Sequence, residues 1–358
     1  MKSILKIIFS ILAPINTTFC LIVFFTSFRQ MEPEPNVHVV GYESIGNQKT
    51  LKYWKNGKEI KFNVGKDGYA GSVFVTGNDV YIAGSEFNGK NNVAKYWKNG
   101  VEVKLADGKS STNANSIFVV GKDIYLAGSE SIPNKTSAVY WKNGIKINLT
   151  LPDGKSYITA KSIYVSGKDI YISGGGRIGS KAVAIYWKNG IQVILAQGRG
   201  IIEVGSIFVS GKDVYVAGSE SVNGIAIATY WKNGKEIKLT DGKNNAMSNS
   251  IFVVNDIVYA VGYESNSTKL VAKIWKNGLS TDLSDGKIHT TANSIFVKGN
   301  EIYVAGNEEE FLIPGNVTND TNMVVKPKNI AKYWKNGVEV KLTDGKNDAV
   351  ATCLVVSQ

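Results

Sequence analysis

Carboxylates at repeated intervals are the residues of this chain best suited to chemistry. Glu43, Glu86, Glu130, Glu220, Glu264 and Glu308 each follow a short apolar run, and Asp107, Asp153, Asp241, Asp285 and Asp344 each open an Asp-Gly segment. Two carboxylates at the right separation hydrolyse a glycosidic bond, and a group of them holds a divalent cation. A catalytic pair should nevertheless be two exceptional residues, whereas these recur in nearly every copy of the surrounding pattern. Asp-Gly-Lys is better explained as a turn whose aspartate accepts from its own backbone. The chain carries 2 histidines and 2 cysteines, and neither a phosphate-binding loop nor a nucleophile elbow. No catalytic residue, metal ligand or cofactor is therefore assigned.

Departures from the pattern carry more information. One copy replaces the glutamate by the stretch Gly174-Gly175-Gly176-Arg177, and the same copy ends at Gly198-Arg199. Another is enlarged after Glu308, where Glu309, Glu310, Phe311, Leu312 and Ile313 bring acids and apolar side chains into a loop. Glu308, Glu309, Phe311, Arg177 and Arg199 are the expected ligand-contacting residues.

The elements that position them follow from a repeat. Tyr-Trp-Lys-Asn-Gly stands at 53–57, 96–100, 140–144, 186–190, 230–234 and 333–337, with isoleucine replacing tyrosine at 274–278. These phrases hold all 7 tryptophans, spaced 43, 44, 46, 44, 44 and 59 residues apart. Each copy contains short apolar runs, here named a to d. In one copy they fall at 116–120, 124–128, 138–141 and 145–149. They are β-strands because they are short, β-branched and aromatic, and bounded by glycine. Asn-Gly between apolar runs marks a tight hairpin, both central positions of which favour positive φ. No helical periodicity exists after the N-terminal segment, so no helix is expected there.

A four-stranded unit that is apolar on both faces must stack against its like. Tyr and Trp of run c point to opposite faces and offer an aromatic to both neighbours. Val37-His38-Val39-Val40-Gly41 matches run b, and Thr352-Cys353-Leu354-Val355-Val356 matches run a. Together the two ends complete one unit. The expected fold is all-β, a seven-bladed β-propeller over residues 31–358. Each blade has four antiparallel strands, and the C-terminal strand a pairs with N-terminal strands b, c and d to close the ring.

Over 36–358 the unit resembles the propeller repeats of the WD40 and kelch classes in length and strand number. It lacks the Gly-His and Trp-Asp pair of the first, and its Tyr and Trp are adjacent, unlike kelch. It is most similar to the tandem Tyr-Trp-Lys-Asn-Gly repeats of bacterial exported proteins. That resemblance implies a fold and a compartment, and brings no catalytic residues with it.

Residues 1–30 place Lys2 and Lys6 ahead of an apolar stretch, the pattern of an export signal or an uncleaved membrane anchor. An extracytoplasmic location is expected, whether secreted, periplasmic or anchored. A start at Met31 is the alternative. Cys20 follows Phe19, which is unsuited to the position before a lipidated cysteine. The net charge of +11 comes mainly from lysines at fixed turn positions, without a long basic run, so no specific nucleic acid partner is expected.

In the expected propeller the a–b and c–d turns share one face. That face displays Lys55, Lys98, Lys142, Lys188, Lys232, Lys276 and Lys335, suited to weak contact with an anionic surface. The opposite face has long, varied loops and is the expected recognition surface. Ser72, Ser116, Ser162, Ser206, Ser250, Ser294 and Cys353 begin run a at the channel, where hydrogen bonding to the neighbouring unit is their expected role. The functional expectation is a monomeric, non-enzymatic binding or scaffold protein whose loop face recognises a protein or carbohydrate. The alternative is a secreted polysaccharide hydrolase or lyase using carboxylates such as Glu308 or Asp344.

Overall fold

The computed structural model describes residues 34–46, 48–61, 67–149, 156–310 and 327–358, and every regular element among them is a strand. Repeat 1 opens the chain with β1 (Asn36–Ile45), β2 (Gln48–Lys55) and β3 (Lys58–Glu59). Repeat 2 is β4 (Gly68–Thr76), β5 (Asp79–Phe87), β6 (Asn92–Lys98) and β7 (Val101–Lys104). Repeat 3 is β8 (Ser111–Val120), β9 (Asp123–Ile132), β10 (Lys135–Lys142) and β11 (Ile145–Asn148). Repeat 4 is β12 (Ser156–Ser166), β13 (Asp169–Ile178), β14 (Lys181–Lys188) and β15 (Ile191–Gly198). Repeat 5 is β16 (Ile202–Ser210), β17 (Asp213–Val222), β18 (Ile225–Lys232) and β19 (Lys235–Lys238). Repeat 6 is β20 (Ala246–Val254), β21 (Ile257–Ser265), β22 (Leu270–Lys276) and β23 (Leu279–Asp282). Repeat 7 is β24 (Thr290–Lys298), β25 (Glu301–Glu310), β26 (Lys328–Lys335) and β27 (Val338–Lys341), and β28 (Asp348–Ser357) ends the chain.

Five sheets have 4 strands each, and β8 to β15 form a sixth of 8 strands. This corrects the expectation of seven separate sheets. β12 is the longest strand, at 11 residues, and its N-terminal extension makes one parallel bridge, Thr136 to Tyr157, that joins repeats 3 and 4. All other pairings among the described residues are antiparallel. β28 lies beside β1 with Val37 opposite Val356, Val39 opposite Leu354 and Val40 opposite Cys353. The innermost strands touch in succession: β4 with β8, β8 with β12, β12 with β16, β16 with β20, β20 with β24, β24 with β28, and β28 with β4.

Apolar packing between repeats holds this arrangement. Every tryptophan is at most 1% exposed. Trp97 packs on Leu51 and Tyr53 of repeat 1, Trp141 on Tyr81 and Ala94 of repeat 2, and Trp231 on Tyr171 and Ala184 of repeat 4. The large indole of each repeat thus fills the face of the one before it, which makes the interfaces the core of the protein. Phe74, Phe118, Tyr164, Phe208, Phe252 and Phe296 form a collar of tilted rings with successive centroids 4.7–5.1 Å apart.

The Lys-Asn-Gly turn has a specific physical reason. Its asparagine takes positive φ, +50° at Asn99, and its side-chain oxygen accepts the Val80 N–H at 2.8 Å. The same clasp joins Asn143 to Ile124, Asn189 to Ile170, Asn233 to Val214 and Asn277 to Val258. Few side chains tolerate that backbone while capping the adjacent strand.

Candidate functional site

Five of the seven lysines named on the turn face are ion-paired within the fold, whereas Lys55 and Lys276 have no ion pair among the described residues. Lys98 meets Asp79 at 2.8 Å, Lys188 meets Asp169 at 3.0 Å, Lys232 meets Asp213 at 2.8 Å, and Lys335 meets Glu301 at 2.8 Å. Each of these ammonium groups also lies over a tyrosine ring, 5.2–5.7 Å from its centroid. The partners stand at the start of strand b, where the sequence reading had not connected them to the turn.

The repeated glutamates have a comparable explanation. In four repeats a lysine of strand c sits between two acids. Lys332 is fully buried and reaches Glu308 and Glu339, both at 2.9 Å. Lys52 bridges Glu43 and Glu59, Lys95 bridges Glu86 and Glu102, and Lys273 bridges Glu264 and Asp282. Repeat 3 moves the cation to strand d, where Lys146 meets Glu130 at 2.6 Å. Repeat 5 keeps Glu220 and Glu236 but has Thr229 between them. Burial, and then the Glu236 charge, holds the Glu220 carboxyl above its ordinary value. The Asp-Gly-Lys turns form as expected, with Lys109, Lys243, Lys287 and Lys346 donating their backbone N–H to the preceding aspartates at 3.0–3.1 Å.

Around the channel a β-bulge recurs in the innermost strands, at Gly71, Asn115, Lys161, Asn249 and Asn293. A bulge turns the extra residue out of the sheet pairing and re-aims it. Asn115, Asn249 and Asn293 donate to the carbonyls of Ala160, Ala292 and Ala351 in the next repeat at 2.8–2.9 Å. The channel serines accept from the next repeat as well: Ile251 N–H donates to Ser206 at 2.8 Å, and Leu354 N–H to Ser294 at 3.2 Å. The serine ring therefore joins the repeats, as the sequence suggested. Cys353 lies 3.9 Å from Ser72 and from Ser294, and burial raises its thiol, which disfavours a nucleophilic thiolate. A cavity of 250 Å³ occupies the channel between these residues.

Repeat 4 breaks the pattern at three linked positions. Gly176, Ile185 and Gln192 replace the acid, cation and acid of repeats 1, 2, 6 and 7, so all three members of that ion network are absent here. A Cβ at Gly176, where φ is +152°, would lie 1.9 Å from the Tyr157 carbonyl oxygen, so only glycine fits. What remains is a recess of 390 Å³, lined by Tyr157, Thr159, Lys161, Arg177 and, from repeat 5, Ile201 and Glu203, with Gly175 and Gly176 in its wall. Tyr157 is half exposed, and Ile201 is also exposed. Lys161 is the bulge residue of repeat 4, the one bulge position that carries a charge. Arg177 donates to the Ser180 carbonyl across its own turn, which orients the guanidinium.

Of the five expected contact residues, Arg177 lines this recess. Arg199 is exposed on the turn just before Ile201 but does not line it. Glu308 is engaged by Lys332, and Glu309 donates its backbone N–H to His289; both stand in repeat 7, away from Arg177 in the strand order. Phe311 lies outside the described residues. Sequence reasoning missed Lys161, Tyr157 and Glu203. Aligning the copies at the residue before each channel serine exposes the signal, since Gly71, Asn115, Gly205, Asn249, Asn293 and Thr352 are small or amide-bearing and Lys161 is neither.

Comparison with known proteins fits the architecture. No family model matches the chain, and no curated protein matches it in sequence. Among solved structures, the β-propeller domain of the Trilobed protease from Pyrococcus furiosus, described as having an open velcro topology, aligns with a TM-score of 0.50 at 12% identity. The match covers 87% of this chain and 95% of that one. A polysaccharide lyase of family PL25, an ulvan lyase, aligns with a TM-score of 0.55 at 10% identity over 77% of this chain and 88% of that one. The fold is a β-propeller. At such identities the likeness carries no activity with it.

Proposed function

We propose that the seven repeats are the blades of one closed propeller, exported from the cell, that binds a carbohydrate on its loop face without transforming it. The register of β1 with β28 and the unbroken succession of contacts among innermost strands support closure. The basic and apolar N-terminal segment supports export. One observation carries the binding function. In repeat 4 an ion network kept by four other repeats is removed, and a glycine-walled recess with an exposed tyrosine, Lys161 and Arg177 stands in its place. A sugar presents a C–H face that stacks on an aromatic ring and a polar edge that charged groups hydrogen-bond, and such a recess offers both.

Catalysis gains nothing from the acids suggested for it. Glu308 is bound by Lys332, and Asp344 by Lys346 at 2.7 Å. A glycan array probed with the wild-type protein and with Lys161→Asn and Arg177→Ser tests the reading. Asparagine is the residue that three other repeats carry at the bulge, so the first variant retains the fold. Binding of a glycan that both substitutions weaken is the expected result. Failure to bind any glycan, or release of a shortened product from the bound one, refutes it.

A further inference from the structure

The recess does not stand alone. It shares Lys161 and Val204 with the channel cavity, which in turn shares Tyr69, Gly71 and Thr352 with a cavity of 360 Å³ beside Tyr42. Tyr69 is also the wall of a further cavity of 360 Å³ that reaches Phe87 and Asn92. Four adjoining cavities therefore run across the channel mouth from the junction of repeats 4 and 5 to that of repeats 1 and 2. Three of the four are each of the size that receives one small ligand, about 300 Å³ and upward, and the channel cavity of 250 Å³ joins them.

The two ends differ in chemistry. At one end Lys161 and Arg177 face a single carboxylate, Glu203, and none of the three has an ion-pair partner among the described residues. At the other, Tyr42 and Tyr69 lie with ring centroids 6.1 Å apart and Phe87 is 45% exposed. Lys49 there sits 4.5 Å from the Tyr42 centroid and Asp67 accepts the Lys49 backbone N–H, so that end carries balanced charge. Between the ends the walls are amides and hydroxyls already fixed by bonds between repeats. Such walls are rigid, polar and poor in apolar pockets, which suits a hydroxyl-rich chain better than peptide side chains.

Resting on the carbohydrate reading above, we infer that the ligand is an extended acidic oligosaccharide that crosses the channel mouth. An anionic substituent is held by Lys161 and Arg177, and a later sugar ring stacks on Tyr69. The inner positions that distinguish the repeats agree with this. Tyr69, Asn113, Thr159, Glu203, Met247, Thr291 and Val350 occupy equivalent places two residues before the bulge or its counterpart, and only threonine occurs twice. The serines that join repeats are nearly invariant; these positions vary.

The test uses the full chain on an array of linear uronic-acid, sulfated and neutral oligosaccharides, graded from disaccharide to octasaccharide. The variants are Lys161→Asn and Tyr69→Asn, the latter matching Asn113 of repeat 3, with circular dichroism to check folding. Affinity for acidic chains should rise about tenfold or more with length. Tyr69→Asn should abolish that rise while leaving the shortest acidic chains bound. Lys161→Asn should weaken acidic chains about tenfold and leave neutral ones unchanged. Binding that is independent of length yet sensitive to Lys161→Asn overturns this inference and leaves the carbohydrate reading intact. Equal affinity for neutral and acidic chains overturns it too, and an array that stays blank overturns both.

Discussion

Exchanging the ion networks of repeats 5 and 7 tests whether buried charge is what the repeated glutamates are for. Lys332 has no exposed surface and contacts Glu308 and Glu339 at 2.9 Å, whereas Thr229 places no cation between Glu220 and Glu236, and Glu220 feels the Lys238 charge only as a minor influence. Removing one partner of a buried pair costs about 3–5 kcal/mol. Glu308 and Glu339 keep 16% and 36% of their side-chain exposure and can rehydrate, so Lys332→Thr should cost less, about 2 kcal/mol. Thr229→Lys creates two charge-assisted contacts, each about 1.5–3 kcal/mol, against desolvation and about 2 kcal/mol of lost lysine rotamer freedom. A net gain of about 1 kcal/mol is expected.

The pH dependence gives a second, independent readout. The Glu220 carboxyl is held above its ordinary value, so the folded state retains a proton that the unfolded chain has lost. Its contribution is present in full below the ordinary glutamate value and is lost as the pH rises through the folded one. The benefit of Thr229→Lys should therefore be largest at neutral pH and shrink on acidification to about pH 4. Urea denaturation followed by tryptophan fluorescence measures both variants. A destabilising Thr229→Lys together with a neutral Lys332→Thr would show that packing, and not charge, sets these positions.

Two further outcomes follow from the fold. Val40→Cys in a Cys20→Ser background places a thiol opposite Cys353 in the β1–β28 register. Oxidation should form the bond, quicken migration on a non-reducing gel and stabilise the protein by up to about 5 kcal/mol, as expected for so long a loop; two free thiols under oxidising conditions would refute closure by this pair. His38 is buried, with Nδ1 2.7 Å from the Tyr53 hydroxyl and Nε2 3.0 Å from Ser357 Oγ, and burial, then the Lys55 charge, lowers it to about 4. Its neutral form contributes stability that is present above its ordinary value of 6.5 and lost as the pH falls through about 4. His38→Tyr, which restores the tyrosine of the other repeats, should flatten that acid-sensitive window in thermal melts; an unchanged slope would refute the assignment.

What could be read in the chain is what short-range physics encodes. The Asn-Gly turns, the apolar runs and their period each depend on a few consecutive residues, and they give the strands and their order. The Asp-Gly-Lys turn was legible for the same reason, since donor and acceptor stand two residues apart. The complementary runs at 37–41 and 352–356 also implied their own pairing, because each lacked what the other supplied.

Partner choice between distant side chains was decided only in three dimensions. Lys98 finds Asp79 because antiparallel register brings the end of strand c beside the start of strand b, and the same geometry pairs most of the lysines of an apparent cationic face. The recess required residues of β12 and β13 to meet the start of β16, an encounter between repeats that no period within one repeat contains. The fusion of repeats 3 and 4 likewise arose from the reach of β12 past its own sheet. Local sequence sets which strands form and where they turn; how neighbouring sheets meet sets which side chains face one another, and it is there that one repeat came to differ from the rest.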